Sequence, residues 1–266
     1  MVDSDSRDLR ENGFVRLPGL AGGDALTRLR GAVGRLEELT RERTVSTGDF
    51  VLEAPGIGGW AAWQQGGAGA LTGVLRSADR IHVHVPEFDA VQRELGLADG
   101  LVAGAAGGPG ELINAFLWAK PPVVGSAKPW HQDMAFAPPG FAAREQGIVT
   151  IWIALEPATE RNGCLEFFPG SHLLGLLPHT GDRERLPGEP PLEGAVEPHV
   201  ADEYLPRTGE PVAMPLDAGS AVLFDGLVLH RSAPNTTATE PRTAVSFVYK
   251  VPQPSWARRE PAAARP

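Results

Sequence analysis

The chain has 266 residues, 42% of them apolar, with a net charge of −9 and a pI near 5.3. That suits one large globular domain with an ample core. The acidic balance, with no stripe of Lys and Arg, argues against nucleic acid or an anionic membrane as partner. The single cysteine, Cys164 in the apolar run NGCLEFF, leaves no internal disulfide and reads as a buried small side chain. The opening MVDSDSRDLRENG has neither a basic nor an apolar leader stretch, and no run is long enough to span a bilayer. The expectation is a soluble, cytoplasmic protein.

Early in the chain, GFVRLPGL reads as a short strand ending at Pro18. The stretch GGDALTRLRGAVGRLEEL then puts Leu26, Leu29, Val33 and Leu36 on one helical face, with Asp24 suiting the positive end of the helix dipole. Residues 41–70 suggest a hairpin or loop carrying Trp60 and Trp63. The run IHVHV reads as a strand or a helix start. If it is a strand, His82 and His84 share a face. GLVAGAAGGPGE, rich in small residues, reads as a turn region.

From residue 111 the pattern becomes β-rich. ELINAFLWAK, IVTIWIAL, CLEFFPG, EPVAMPL, SAVLFDGLVLH and RTAVSFVYKV are short apolar runs punctuated by Gly, Pro, Asn and Asp. Many short strands with few helices between them predict a jelly roll, sandwich or barrel. Residues 178–211, rich in proline and charge, interrupt the strands as a functional loop or a mobile segment. The expected organisation is a single domain over 1–266: a mostly helical support over 1–110 and a mainly β core over 111–252, with the 178–211 insert.

The chemistry centres on WHQDMAF, residues 130–136. On a strand His131 and Asp133 point the same way, and an imidazole beside a carboxylate supplies two of the three ligands of a 2-His-1-carboxylate iron site. Among seven histidines, His230 is the best third ligand by context. It ends the apolar run SAVLFDGLVLH at a loop boundary, where a jelly roll can bring it beside His131. Twelve residues later Arg242 opens the next strand. Its planar, permanently charged fork suits a buried carboxylate. Ser232 adds a hydroxyl near His230.

Five blocks in order, AKPP, KPWHQDMAF, IWIALEPATERNGCLEFFPGSH, AGSAVLFDGLVLHRSAPNTT and PRTAVSFVYK, resemble the phytanoyl-CoA dioxygenase family of Fe(II)- and 2-oxoglutarate-dependent oxygenases. ENGFVRLPGL is similar to the family's N-terminal segment. The resemblance implies a double-stranded β-helix, or jelly-roll, core with flanking helices. It implies Fe(II) held by His131, Asp133 and His230, with 2-oxoglutarate and dioxygen as co-substrates. It places Arg242 on the far carboxylate of 2-oxoglutarate, Ser232 beside it, Trp152 on the border of that pocket and Asn114 as a further contact. An intact Asp133 sets the chain apart from the related halogenases, where a small residue makes room for chloride.

The activity so implied is hydroxylation of an unactivated C–H bond of a small organic molecule. The abundance of Gly, Ala and Pro, with arginine favoured over lysine, suggests a bacterial biosynthetic pathway. Two alternatives stand beside it. One is a cupin-type metal enzyme without 2-oxoglutarate, for which His82 and His84 are the rival pair. The other is a β-barrel binding protein that has lost catalysis. His172 reads as turn-stabilising, and His179 and His199 as solvated. Trp60, Trp63 and the 178–211 loop are candidates for substrate contact.

Overall fold

The longest strands alternate as a sheet with two covered faces requires. The computed structural model describes residues 3–53, 70–137, 141, 146–180, 199–207 and 209–252. At its centre β13 (Arg242–Pro252) pairs antiparallel with β4 (Glu111–Lys120) on one side and with β6 (Gln146–Ala154) on the other. Beyond β6 lie β11 (Ala221–Asp225) and β1 (Phe14–Leu17), and beyond β4 lie β3 (Leu75–Ala78) and β2 (Phe50–Leu52), giving a seven-stranded sheet. A second sheet runs in the order β10 (Val212–Met214), β7 (Leu165–Phe167), β12 (His230–Ser232) and β5 (Lys128–His131). A small hairpin joins β8 (His179–Thr180) to β9 (His199–Val200). Two facing antiparallel sheets make the expected jelly roll.

Successive side chains on a strand face opposite ways. In the large sheet one set, including Ala115, Leu117, Ile151, Ile153, Val245, Phe247 and Tyr249, packs outward into one core with the helices. Helix α2 (Gly23–Thr40) buries Leu29, Val33 and Leu36 there, as its spacing predicts. A helix α4 (Glu87–Glu94) adds Phe88 and Val91, both fully buried. Each such side chain contributes about 1.5–3 kcal/mol of burial. The other set, including Asn114, Phe116, Trp118, Thr150, Trp152, Arg242 and Ser246, faces the second sheet. Polar and aromatic residues on that inner face leave a cavity where a structural sandwich would have a dry core.

Several local readings change. The N-terminal region, besides α1 (Asp3–Glu11) and α2, supplies β1, β2 and β3 to the large sheet, so it is less helical than its sequence suggests. IHVHV is a helical turn, α3 (Ile81–His84), which places His82 and His84 on a helix, with His84 Nε2 2.8 Å from Asp49 Oδ2. That removes the strand-borne H-x-H pair on which the cupin reading rested. GLVAGAAGG supplies the end of a π-helix over Leu97–Val102 and a short α5 (Ala103–Ala106). Small residues there let the chain coil against β13. SAVLFDGLVLH is two strands: β11 ends at Asp225, and His230 opens β12. Trp60, Trp63 and most of the 178–211 insert lie outside the described residues.

Candidate active site

His131 and His230 are cross-strand partners on β5 and β12. Their rings lie 4.1 Å apart between centroids, and both are buried. Strand β5 stops at His131. Gln132 stays extended (φ −122°, ψ 131°), and Asp133 opens a 3-10 turn over Asp133–Phe136. The expected strand therefore ends early, but the extended Gln132 preserves the relation in which residues i and i+2 share a face. Asp133 Oδ1 lies 3.6 Å from Nε2 of each histidine. One ligand atom from each of the three residues falls within 4.8 Å of the others.

The surroundings fix which atoms are presented. His131 Nδ1 lies 2.8 Å from the Pro129 carbonyl and His230 Nδ1 3.0 Å from that of Val228. A carbonyl only accepts, so each Nδ1 carries the proton and each Nε2 lone pair is left for a metal. Burial pushes both imidazoles below their ordinary pKa, His131 strongly so, with the neighbouring His230 adding to its shift. Both are therefore neutral near pH 7. The Thr150 hydroxyl donates to Asp133 Oδ2 at 2.6 Å, leaving Oδ1 for the metal. A ligating carboxylate oriented by a second hydrogen bond is the usual outer support of a metal centre.

Gln132, fully buried, holds this segment in place. Its amide nitrogen donates to the carbonyls of Gly175 and Leu227, and its oxygen accepts from the Leu177 amide. Its own backbone N–H donates to His179 Nε2 at 3.1 Å, so His179 props the segment that carries His131 and Asp133 and is not a solvated group. The Met134 amide donates to the Gly226 carbonyl at 2.9 Å. Gly226 is required there, since a Cβ would meet Ile148 Cβ at 2.8 Å.

A cavity of about 420 Å³ opens from the three ligands. At one end stands Arg242, 3% exposed, with its Cζ 5.4 Å from the Trp152 ring centroid. One terminal nitrogen donates to the Trp118 carbonyl at 3.2 Å, while the buried Nε has no partner. Burial lowers its pKa to about 9, which still leaves it cationic at neutral pH. Ser232 and Trp152 line the same cavity. Asn114 lines it too, but six residues along β4 from Lys120, the register partner of Arg242. Asn114 therefore lies toward the other end, where its side-chain oxygen accepts from the Ala115 and Arg80 amides.

Sequence reasoning missed much of the Arg242 end. Arg76 and Lys120 are buried beside it and line the cavity. Arg76 donates from Nε to the Ser126 hydroxyl at 2.8 Å and from a terminal nitrogen to the Ala127 carbonyl at 3.1 Å. Lys120 donates to the carbonyls of Ser126, Ser232 and Ala233, tying β12 to the loop after β4. Burial pushes Arg76 down to about 10 and Lys120 well below the usual lysine value. Buried Glu53 accepts from the Ser126 amide and hydroxyl, both at 2.9 Å, and supplies negative charge nearby. A cation inside an apolar strand, as in VLRSAD and FLWAK, is the signal that marks such residues.

A jelly roll whose facing sheets hold a His-Asp-His triad, with a buried arginine beyond it, defines the class of 2-oxoglutarate-dependent non-haem iron oxygenases. The chain belongs to the phytanoyl-CoA dioxygenase (PhyH) family, whose model matches residues 9–244. It is 32% identical over 157 residues to phytanoyl-CoA dioxygenase domain-containing protein 1 of Danio rerio, covering 58% of this chain and 46% of that one. It is 33% identical over 150 residues to L-proline trans-4-hydroxylase of Streptomyces griseoviridis, covering 54% of each. The chain thus spans about half the length, or less, of the curated relatives it matches. Among solved structures, EvdO2 of Micromonospora carbonacea var. aurantiaca, complexed with 2-oxoglutarate, is similar with a TM-score of 0.65 and 25% identity, covering 98% of this chain and 95% of that one. EctD of S. alaskensis shares the fold, with a TM-score of 0.69 at 20% identity over 94% of this chain and 76% of that one. Among the described residues, no helix is long and apolar enough to cross a membrane.

Proposed function

We propose that the protein is an Fe(II)- and 2-oxoglutarate-dependent oxygenase that hydroxylates an unactivated C–H bond of a small organic molecule, in a bacterial biosynthetic pathway. One observation carries the reading. Three metal-ligand atoms, two of them freed by carbonyl bonds to the opposite ring nitrogen, share a cavity with a buried arginine whose Nε has no partner. A buried N–H without an acceptor is costly, and a carboxylate entering the cavity would satisfy it. The donor set fits iron: two neutral imidazoles and one carboxylate on one face leave positions open for co-substrates. The L-proline trans-4-hydroxylase relative supports hydroxylation, and the 2-oxoglutarate complex of EvdO2 supports the co-substrate. The pathway setting rests on the Gly-, Ala-, Pro- and Arg-rich composition.

In this reading His131 and His230, through Nε2, and Asp133, through Oδ1, hold the iron. When bound, the iron supplies activation of dioxygen coupled to oxidative decarboxylation of 2-oxoglutarate to succinate. The protein's own groups do the rest. Arg242 grips the far carboxylate of 2-oxoglutarate, with Ser232 beside it and Trp152 packed against the guanidinium. Arg76 and Lys120 add positive potential at that end. Thr150 keeps Asp133 in one orientation. The aromatic and aliphatic walls exclude water and aim one C–H bond at the metal.

Anaerobic addition of Fe(II) and then 2-oxoglutarate to the metal-free protein tests the proposal. The expected result is a weak visible charge-transfer band that saturates with 2-oxoglutarate and is lost in Asp133→Ala. Iron binding without a band at saturating 2-oxoglutarate would overturn the co-substrate assignment. No iron binding at all would favour a binding protein that has lost catalysis.

A further inference from the structure

The cavity has a second end, and its charge is opposite. It is a ligand site on independent grounds, the metal triad and the unpartnered, deeply buried Arg242 Nε. Away from Arg242 its wall is made by Asp49, Asp79, Asn114, Ile113, Phe116 and Val248. Asp79 is half-buried. It accepts from the Arg80 amide at 2.6 Å and from the Asn114 side chain. Both donors are neutral, and among the described residues Asp79 makes no ion pair. The guanidinium of Arg80 turns instead to Asp49, which it reaches at 2.6–3.2 Å, and His84 also bonds Asp49. Asp49 is thus neutralised from the protein side and Asp79 is not.

A carboxylate drawn partly out of water, hydrogen-bonded only by neutral donors and sharing the Arg80 charge with Asp49, is better compensated when a further cation arrives. The other charges around the cavity say where that cation can sit. Arg76, Lys120 and Arg242 make the opposite end repel a cation and attract a dianionic co-substrate. Lys128 holds the aromatic wall nearer the metal, its Nζ 5.3 Å from the Trp118 ring centroid and 5.1 Å from that of Phe136. Its ammonium already places positive charge on that wall.

We propose that the molecule oxidised carries a protonated basic nitrogen, seated on Asp79 with Asn114 beside it. The proposal rests on the cavity being the substrate site of an oxygenase. Register sets the scale. Asn114 and Thr150 both pair with Val248, one from each side of β13, and Thr150 bonds the metal ligand Asp133. Two strand spacings separate them, roughly 10 Å, and β3, which leads into Asp79, lies one strand further. The nitrogen and the oxidised carbon are therefore several bonds apart, and a compact amino acid cannot satisfy both ends at once.

The test uses n-hexylammonium, n-hexanol and hexanoate as probes, titrated calorimetrically into the full chain carrying Fe(II) and saturating 2-oxoglutarate without oxygen, so that the Arg242 end is already occupied. The ammonium is expected to bind at least about tenfold more tightly than the alcohol, with hexanoate weakest. In Asp79→Asn, which keeps an acceptor for the Arg80 amide, the preference should collapse while the 2-oxoglutarate titration is unchanged. Equal affinity for the three probes, a preference for hexanoate, or a preference that survives in Asp79→Asn would each overturn the proposal. Because the wild-type comparison needs no variant, misfolding of Asp79→Asn leaves it decisive. Failure of the oxygenase reading shows separately, as absent 2-oxoglutarate binding to the iron-loaded chain.

Discussion

The two ends of the cavity are built on different physical terms. At the Arg242 end the cavity-lining cations Arg242, Arg76 and Lys120 are at 7% exposure or less, with Glu53 fully enclosed. Their hydrogen bonds go mostly to backbone carbonyls and to Ser126, so little is free to move. At the Asp79 end Asp49 is held by Arg80, whose side chain is 54% exposed. Surface ion pairs of that kind contribute about 1 kcal/mol or less. A rigid end suits one small invariant ligand, and a solvated end can vary with substrate. The His-Asp-His cluster lies between, with His230 on β12, His131 on the neighbouring edge strand β5 and Asp133 on the turn that follows it.

The largest expected effect is at the metal. His230→Ala removes a ligand and leaves two, so the chain should no longer retain Fe(II) through gel filtration, while its circular dichroism is unchanged. Retention of stoichiometric iron would mean that the triad is not the metal site. The next largest is at the rigid end. Arg242→Ala should weaken 2-oxoglutarate binding by about a hundredfold or more, because two charge-assisted bonds are lost together. Arg242→Lys should recover only part, since an ammonium cannot reproduce the planar fork. If both variants bind 2-oxoglutarate as tightly as the wild type, the carboxylate is held by Arg76 or Lys120 and the assignment of this end must be redrawn.

A third prediction asks whether the metal segment is prebuilt. Gln132→Ala removes three buried hydrogen bonds that join the segment to Gly175, Leu177 and Leu227. The metal-free variant should lose about 2–4 kcal/mol in denaturant unfolding. A loss below about 0.5 kcal/mol would show that the loops hold the segment without this side chain.

These residues also show what the sequence reveals and what it hides. The His131, Asp133 and His230 cluster was legible because its blocks stand in the order of a known family, a lone H-x-D being common by chance, and Arg242 because a cation opens an otherwise apolar strand. The sheet partners of β13 were not, because strand order depends on pairings between residues far apart in the chain. The secondary structure beneath WHQD was read as one strand, since a 3-10 turn of four residues leaves no periodic signature. The small-residue run GLVAGAAGGPGE looked like a turn because Gly and Ala carry no apolar stripe, although its first seven residues are helical. Glu53 and Ser126 lie 73 residues apart, and only the fold shows that they meet.

The smallest predicted effect discriminates most finely between the two ends. Thr150 was missed because one threonine in IVTIWIAL passes for an ordinary strand residue. Its hydroxyl donates to Asp133 Oδ2 at 2.6 Å. Thr150→Val keeps the shape and the strand preference but removes that donor, so Asp133 is free to turn. Iron affinity should fall by about tenfold, the lower end of what an outer-sphere carboxylate partner supplies. Thr150→Ser should restore it. Neither change touches Arg242, so once iron is saturating the 2-oxoglutarate affinity should match the wild type. Equal loss of iron and 2-oxoglutarate affinity in Thr150→Val would show that the strand itself has shifted, and that the metal and the rigid end are one mechanical unit.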